Sequence, residues 1–208
     1  MEINLTGIGK RFRKEWIFRN VDLSFTSSKR YALVGHNGSG KSTLLQLIAT
    51  IAIPTEGEIL YRLDKAPLTT DKTTSLISFS SPYQELIEEF TGLEMVDFHF
   101  RFRSQVLPTS SQQFLQAIGL GSSATKQIKF FSSGMKQRLR LALCVYTQAN
   151  VYLLDEPTTN LDQQGAGWYA QLISQLPANK IVIISSNIEN EFKMCDVVIN
   201  IADYKGKA

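Results

Sequence analysis

Gly35-His36-Asn37-Gly38-Ser39-Gly40-Lys41-Ser42 decides the reading of this chain, because it matches the pattern G-x-x-x-x-G-K-[ST]. Its flanks agree with it. Arg30 to Val34 reads as a strand running into the glycines. Residues 41 to 52 carry apolar side chains at Leu44, Leu45, Leu47, Ile48 and Ile51, a helical spacing that Pro54 and Gly57 terminate. A backbone that wraps a triphosphate closely must present N–H groups that side chains would block, hence the glycines. The N-terminus of the following helix adds partial positive charge. Lys41 would supply a point charge to the β- and γ-phosphates, and the Ser42 hydroxyl is placed to coordinate Mg²⁺. From average residue usage, such a match arises by chance in a chain this long at on the order of one per cent, before strand and helix are required.

A loop of this kind needs an acidic partner for the metal at the end of a buried strand. Val151-Tyr152-Leu153-Leu154-Asp155-Glu156 offers one. Asp155 would hold Mg²⁺, directly or through water, and Glu156 would polarise the attacking water. Alone, an acidic pair after a strand is equally a strand-end cap; beside the glycine loop it becomes specific. Three near-continuous apolar runs, Val151 to Leu154, Ile181 to Ile184 and Val197 to Ile201, predict strands buried on both faces of a parallel sheet. A helical stretch from Gly167 to Leu176 lies between the first two, giving β-α-β. In the first sixty residues Ile3, Leu5, Ile17, Val21, Leu23 and Phe25 alternate with polar residues, as half-buried antiparallel strands do. Residues 83 to 149 are mostly helical by pattern, with Met135, Leu139, Ala142, Leu143 and Tyr146 on one face. Within them, Phe98, Phe100 and Phe102 alternate as in a strand, while Leu93, Val96 and Val106 suit a helix.

The 208 residues support one domain, or a domain with a subdomain. With 43% hydrophobic and 20% charged residues and a mean hydropathy of −0.08, disordered and fibrous classes are excluded. No apolar run approaches the roughly 18 residues of a membrane span. Charges stand where a secretory apolar segment would lie, so no signal peptide is expected and the default compartment is the cytoplasm. Cys144 and Cys195 have no metal-ligand spacing and read as buried thiols. The net charge of +3 is concentrated at the start, in Lys10, Arg11, Arg13, Lys14 and Arg19. That cluster would either meet phosphates or anionic lipid heads, or form a solvated hairpin face.

Phe131-Ser132-Ser133-Gly134-Met135-Lys136-Gln137-Arg138, upstream of Asp155-Glu156-Pro157-Thr158-Thr159-Asn160-Leu161-Asp162, completes the set of motifs. With them the chain resembles, over nearly its whole length, the ATP-binding subunit of ABC transporters. The resemblance implies an α/β P-loop NTPase fold of ABC type: a mixed sheet core with an N-terminal antiparallel β subdomain and an inserted helical subdomain. Residues 1–208 would form a single ABC ATP-binding domain, with 1–82 and 150–208 as the core and 83–149 as the helical part. It implies ATP and Mg²⁺ as cofactors. Phe12 would stack on adenine, and Gly35, His36, Asn37, Gly38, Ser39, Gly40, Lys41, Ser42 and Thr43 would cradle the phosphates. Ser132, Ser133 and Gly134 would bind the γ-phosphate held by an opposing chain. Ser42, Asp155 and Gln84 would serve the metal, and Glu156, Asn187 and Asp162 the hydrolysis. Pro54-Thr55-Glu56-Gly57-Glu58-Ile59 matches the family's turn after the P-loop helix.

The chain departs from the family's pattern in three places. The signature has Ser133 for its first glycine and Met135 for its glutamine. Pro82 stands where a metal-contacting glutamine is expected, with Gln84 two residues beyond, and Asn187 stands where a histidine is expected. Neither His36, inside the glycine loop, nor His99, in the aromatic segment, can fill that place. The resemblance implies a second ABC ATP-binding chain, identical or homologous, meeting this one head to tail. It also implies a separate transmembrane permease subunit, and so a place on the cytoplasmic face of the cell membrane. Phe98, Phe100 and Phe102 would receive that permease or fill the subdomain core. Two rivals differ in class: a nucleotide-sensing subunit with little hydrolysis, which Pro82 and Asn187 suggest, and an ABC-type ATPase acting on nucleic acid or ribosomes. Relatives of the last kind carry paired domains or a long coiled-coil insertion, and this chain has room for neither.

Overall fold

The structure is a computed structural model and describes residues 1–106 and 110–205. Residues 107–109, in the expected helical range, and 206–208, at the end of the expected core range, lie outside the described residues. The chain separates into two compact units. The first comprises residues 1–79, 149–156 and 177–208; the second comprises 80–148 and 157–176. Residues 157–176, read from sequence as part of the range 150–208, cluster with the second unit.

The first unit contains a four-stranded antiparallel sheet built from the N-terminal hairpin. Strands β1 (Glu2–Phe12) and β2 (Glu15–Thr26) pair with Ile3 opposite Phe25 and Leu5 opposite Leu23. The alternating residues turn inward, so Ile3, Leu5, Val21 and Phe25 are buried. After β3 (Arg30–Val34) and α1 (Lys41–Ile48) the chain returns as β4 (Glu56–Leu63), which covers the other edge of β1, and as the short β5 (Ala66–Pro67). The motif 54–59 reads in sequence as a turn, since Glu56, Gly57 and Glu58 dilute the apolar signal of a strand half of whose residues are exposed.

Next come α2 (Thr70–Leu76) and β6 (Ile77–Ser80), then, from the second half of the chain, β7 (Val151–Asp155), β8 (Ile181–Ser185) and β9 (Val197–Asn200). These complete a five-stranded sheet of order β6-β7-β8-β3-β9, with β3, β7, β8 and β9 parallel. Every residue of β7 and β8 is buried, as their continuous apolar runs require. The third run is different. β9 is an edge strand with Val198 56% exposed, and it gives way to a 3₁₀ turn at Ile201, so the expectation of burial on both faces fails there.

Helix α1 packs Leu44, Leu45, Leu47 and Ile48 into the core of this unit, each fully buried aliphatic side chain contributing about 1.5–3 kcal/mol. It stops earlier than its apolar spacing implied. Thr50 takes a φ of 61°, the N–H groups of Ile51 and Ala52 both turn back to the Gln46 carbonyl, and Ile51 is left 62% exposed. The helix therefore ends about four residues before the expected 52, closed by its own carbonyls rather than by Pro54.

The second unit is helical: α3 (Gly92–Phe102), α4 (Ser111–Ala117), α5 (Ser133–Val145) and α6 (Gln163–Ser174), with short 3₁₀ turns between α4 and α5. The aromatic segment is helix. Thr91 and Glu94 form a capping box, the Thr91 hydroxyl accepting from the Glu94 N–H at 3.2 Å and the Glu94 carboxylate accepting from the Thr91 N–H at 2.7 Å. The end is thus fixed at 91, and the two-residue alternation of the phenylalanines becomes a split between faces. Phe100 turns inward onto Phe114, with ring centroids 5.5 Å apart, while Phe98 and Phe102 form an exposed pair 5.3 Å apart.

His99 belongs to this packing. The Thr147 hydroxyl donates to the Leu143 carbonyl at 2.7 Å and so accepts from His99 Nε2–H at 2.8 Å, which places a ring proton on Nε2. Burial first, then the Arg103 charge, pulls its pKa down to about 4. A histidine kept neutral in the fold stabilises fully above its ordinary 6.5 and loses that contribution as pH falls toward about 4, at most about 3 kcal/mol. Thermal unfolding of wild type and His99→Gln at pH 7 and pH 4.5 should show the wild type losing more stability on acidification. Equal losses would contradict this role for His99.

Candidate functional site

The loop from residue 35 to 42 owes its shape to the glycines. Gly35, Gly38 and Gly40 have φ of 145°, 79° and 104°. At Gly40 space is limiting as well: a Cβ would come within 2.6 Å of Ile17 and 2.8 Å of Phe18, so the loop is seated directly on β2. Helix α1 begins at once behind it, with no acidic residue in its first turn to cancel the positive end of its dipole. Thr43 lies in that first turn. The buried Ser39 hydroxyl has no hydrogen-bond partner among the described residues, a donor left inside a loop shaped for an anion.

Lys41 is 5% exposed, and its Nζ donates to the Gly35 carbonyl at 2.7 Å. Burial lowers its pKa, while the carboxylates of Glu156 and Asp155 act in the opposite sense. Asp155 ends β7 and is 1% exposed. Burial raises its pKa most strongly; the neighbouring hydroxyls of Ser42 and Ser185 and the charge of Lys41 favour the ionised form. Thus Lys41, Ser42, Asp155 and Glu156 share one electrostatic site. Ser185 is a member the sequence reading missed, since only the register that sets Asp155 opposite Ser185 places it there.

Glu156 is held in a strained backbone, with φ of 42° although a proline follows, and its N–H donates to the Ser185 carbonyl at 2.8 Å. Asn187 leaves the same strand end, and its side-chain amide donates to Asn37 Oδ1 at 2.9 Å, so the residue at the expected histidine position does meet the glycine loop. The His36 ring bonds the neighbouring Asn37 carbonyl at 2.9 Å. Phe12 ends β1 with 52% of its surface exposed, as a stacking platform requires.

The remaining expected residues belong to the second unit. Ser132 caps α5, its hydroxyl accepting from the Met135 N–H at 3.2 Å, and Ser133 opens the helix. Gly134 is required by close approach, since a Cβ would stand 3.0 Å from the Asn160 carbonyl. These residues line a cleft of about 390 Å³ with Asn160, Leu161 and Asp162. Asp162 is the N-cap of α6, accepting from the Gly165 N–H at 2.7 Å. Gln84 has an exposed side chain, and its carbonyl accepts from Arg140 Nε at 2.6 Å. Gln137, also missed from sequence, is fully buried and donates to the Pro157 carbonyl at 2.8 Å.

Ser42 and Asp155 present two hard oxygen donors already in contact, and a buried carboxylate is one that a cation favours in its ionised form. The pair fits Mg²⁺ with phosphate oxygens and water as further ligands. No cluster of three or more His, Cys, Asp or Glu suited to a metal occurs among the described residues. None of the described helices is long and apolar enough to cross a membrane.

Residues 18–159, more than half of the chain, match the family described as ABC transporter. The chain belongs to the ABC transporter family. The lipoprotein-releasing system ATP-binding protein LolD of Coxiella burnetii is 31% identical over 195 residues, covering 88% of this chain and 84% of its own. Two ABC transporter ATP-binding proteins of Bacillus subtilis are similar: YcbN, 28% identical, of which this chain spans 63%, and YybJ, 26% identical, of which it spans 91%. Among solved structures, a dimeric ATP-binding cassette in a post-hydrolysis state bound to ADP and Pi superposes with a TM-score of 0.82 at 23% identity. The alignment covers 99% of this chain and 97% of that one. The expected ABC-type α/β fold and the family reading are both borne out, and nucleotide is the ligand of this family's cassette.

Proposed function

We propose that this ABC-family chain binds Mg-ATP on the loop 35–42, hydrolyses it slowly, and drives a separate membrane-spanning subunit through nucleotide-dependent pairing with a second ATP-binding chain. The observation that carries the reading is the convergence of Lys41, Ser42, Asp155 and Glu156 on one phosphate-binding loop. Loop N–H groups, the α1 N-terminus and Lys41 receive the triphosphate. Ser42 and Asp155 would hold Mg²⁺, whose charge would offset that of the phosphates. Glu156 orients and deprotonates the attacking water. Phe12 stacks on the base.

One chain carries one glycine loop and one signature turn, so Ser132, Ser133 and Gly134 act on the γ-phosphate held by the opposing chain, and Asp162 keeps its segment in place by capping α6. Binding pulls the pair together and hydrolysis releases it. The exposed Phe98 and Phe102 belong to the surface offered to the membrane subunit. The LolD relative is named for a lipoprotein-releasing system; for this chain we assign the transporter class and its ATP-driven step. The place of action that follows is the cytoplasmic face of the membrane, reached through that partner.

Slow hydrolysis follows from two side chains. Asn187 offers an amide where histidine would offer a titratable ring, and that amide is engaged by Asn37. Pro82 has neither an amide side chain nor a backbone N–H to give. A missing donor to transition-state charge costs about 2.7–4 kcal/mol, a hundredfold or more in rate. Steady-state ATPase assays should therefore find weak turnover in wild type and faster turnover in Asn187→His. Brisk wild-type activity that the histidine leaves unchanged would contradict the assignment of Asn187. The nucleotide-sensing reading, favoured by the same Asn187–Asn37 contact, would be supported instead if neither protein hydrolysed ATP while both bound it.

A further inference from the structure

Phe12 is an exposed ring near the tip of a hairpin, where a phenylalanine has little to hold it in one rotamer. Its neighbourhood is nevertheless fastened. The Thr55 N–H donates to the Gly9 carbonyl at 2.8 Å, the Arg11 N–H donates to the Thr55 hydroxyl at 3.1 Å, and between them Lys10 Nζ donates to the Ile53 carbonyl at 2.8 Å. Three bonds thus tie residues 9–11 to the segment 53–55 that follows α1. The same Nζ lies 5.1 Å from the centre of the Phe12 ring. A tethered ammonium over an aromatic face is attractive in itself and occupies that face.

We propose that Lys10 is a positioning residue for nucleotide binding: anchored on the Ile53 carbonyl, it holds the Phe12 ring by one face and leaves the opposite face as the stacking surface for the base. The proposal rests on the reading of Phe12 as that platform. Lys10 acts through the ring and not on the phosphates, so its contribution depends on both the ring and the base.

The test is equilibrium binding of ATP and of inorganic tripolyphosphate, which has no base, at fixed Mg²⁺, to wild type, Lys10→Met, Lys10→Arg, Phe12→Ala and the double variant Lys10→Met/Phe12→Ala. Lys10→Met should bind ATP about two- to fivefold more weakly, the range of a cation–π contact at an exposed site, with tripolyphosphate unaffected. In steady state its KM should rise with kcat unchanged. Lys10→Arg keeps the cation and should retain affinity. In the Phe12→Ala background the lysine change should have no further effect. An equal loss for tripolyphosphate, or a loss that persists without the ring, would place Lys10 on the phosphates and overturn the proposal. So would unchanged ATP affinity in Lys10→Met. If Phe12→Ala itself binds ATP normally, the stacking role of Phe12 fails, and Lys10 fails with it.

Discussion

Lys41→Ala is expected to weaken ATP binding a hundredfold or more in an equilibrium titration, the largest loss of affinity from any single change in this chain. A charge-assisted hydrogen bond contributes about 1.5–3 kcal/mol, and an ammonium shared between two phosphates makes two of them. Each 1.4 kcal/mol is about tenfold in affinity. The loss is compounded here because Asp155 and Glu156 already act on Lys41, so its removal leaves two acidic groups facing a polyanion. The fold should survive, since α1 is fastened by Leu44, Leu45, Leu47 and Ile48 rather than by Nζ. Unchanged far-UV circular dichroism with lost binding is the expected pair of results; wild-type affinity would remove Lys41 from the site.

The strand, loop and helix around Gly35–Ser42 were legible because one local stretch has to satisfy several demands at once: buried strand, positive φ at three glycines, and an apolar helix face. The acidic strand end at Asp155 was legible for the same reason. What could not be read depends on register and on edges. Nothing in the run Val197 to Ile201 says that no strand covers its far side, and its apolar content alone cannot separate a central strand from an edge. Ser185 joins Asp155 only through the pairing of β7 with β8, and Gln137 finds the Pro157 carbonyl across twenty residues of sequence. The phenylalanines of α3 leave strand and helix both open by local pattern, because a period of two over seven residues competes with a helix whose deciding feature, the Thr91–Glu94 box, lies outside the pattern. The end of α1 shows the converse: apolar spacing ran on to Ile51, but Thr50 at positive φ had already turned the chain.

Glu156→Gln is the second large effect. Glutamine keeps the size of the side chain and its capacity to hold a water, yet cannot accept the water's proton. Hydrolysis should fall by about 10²- to 10⁴-fold, the usual contribution of a general base, while ATP affinity is retained. The γ-phosphate then persists, and with it the proposed contact that joins the loop of one chain to Ser132–Gly134 of the other.

That variant gives the most direct test of nucleotide-driven pairing. Light scattering on Glu156→Gln with ATP and Mg²⁺, alone and co-purified with the proposed membrane-spanning partner, should report ATP-binding chains in pairs, twice the 23.4 kDa of a single chain in the isolated protein. The pairs should dissociate when nucleotide is withdrawn. A single copy at every protein concentration, in both settings and with ATP demonstrably bound, would contradict the head-to-tail account.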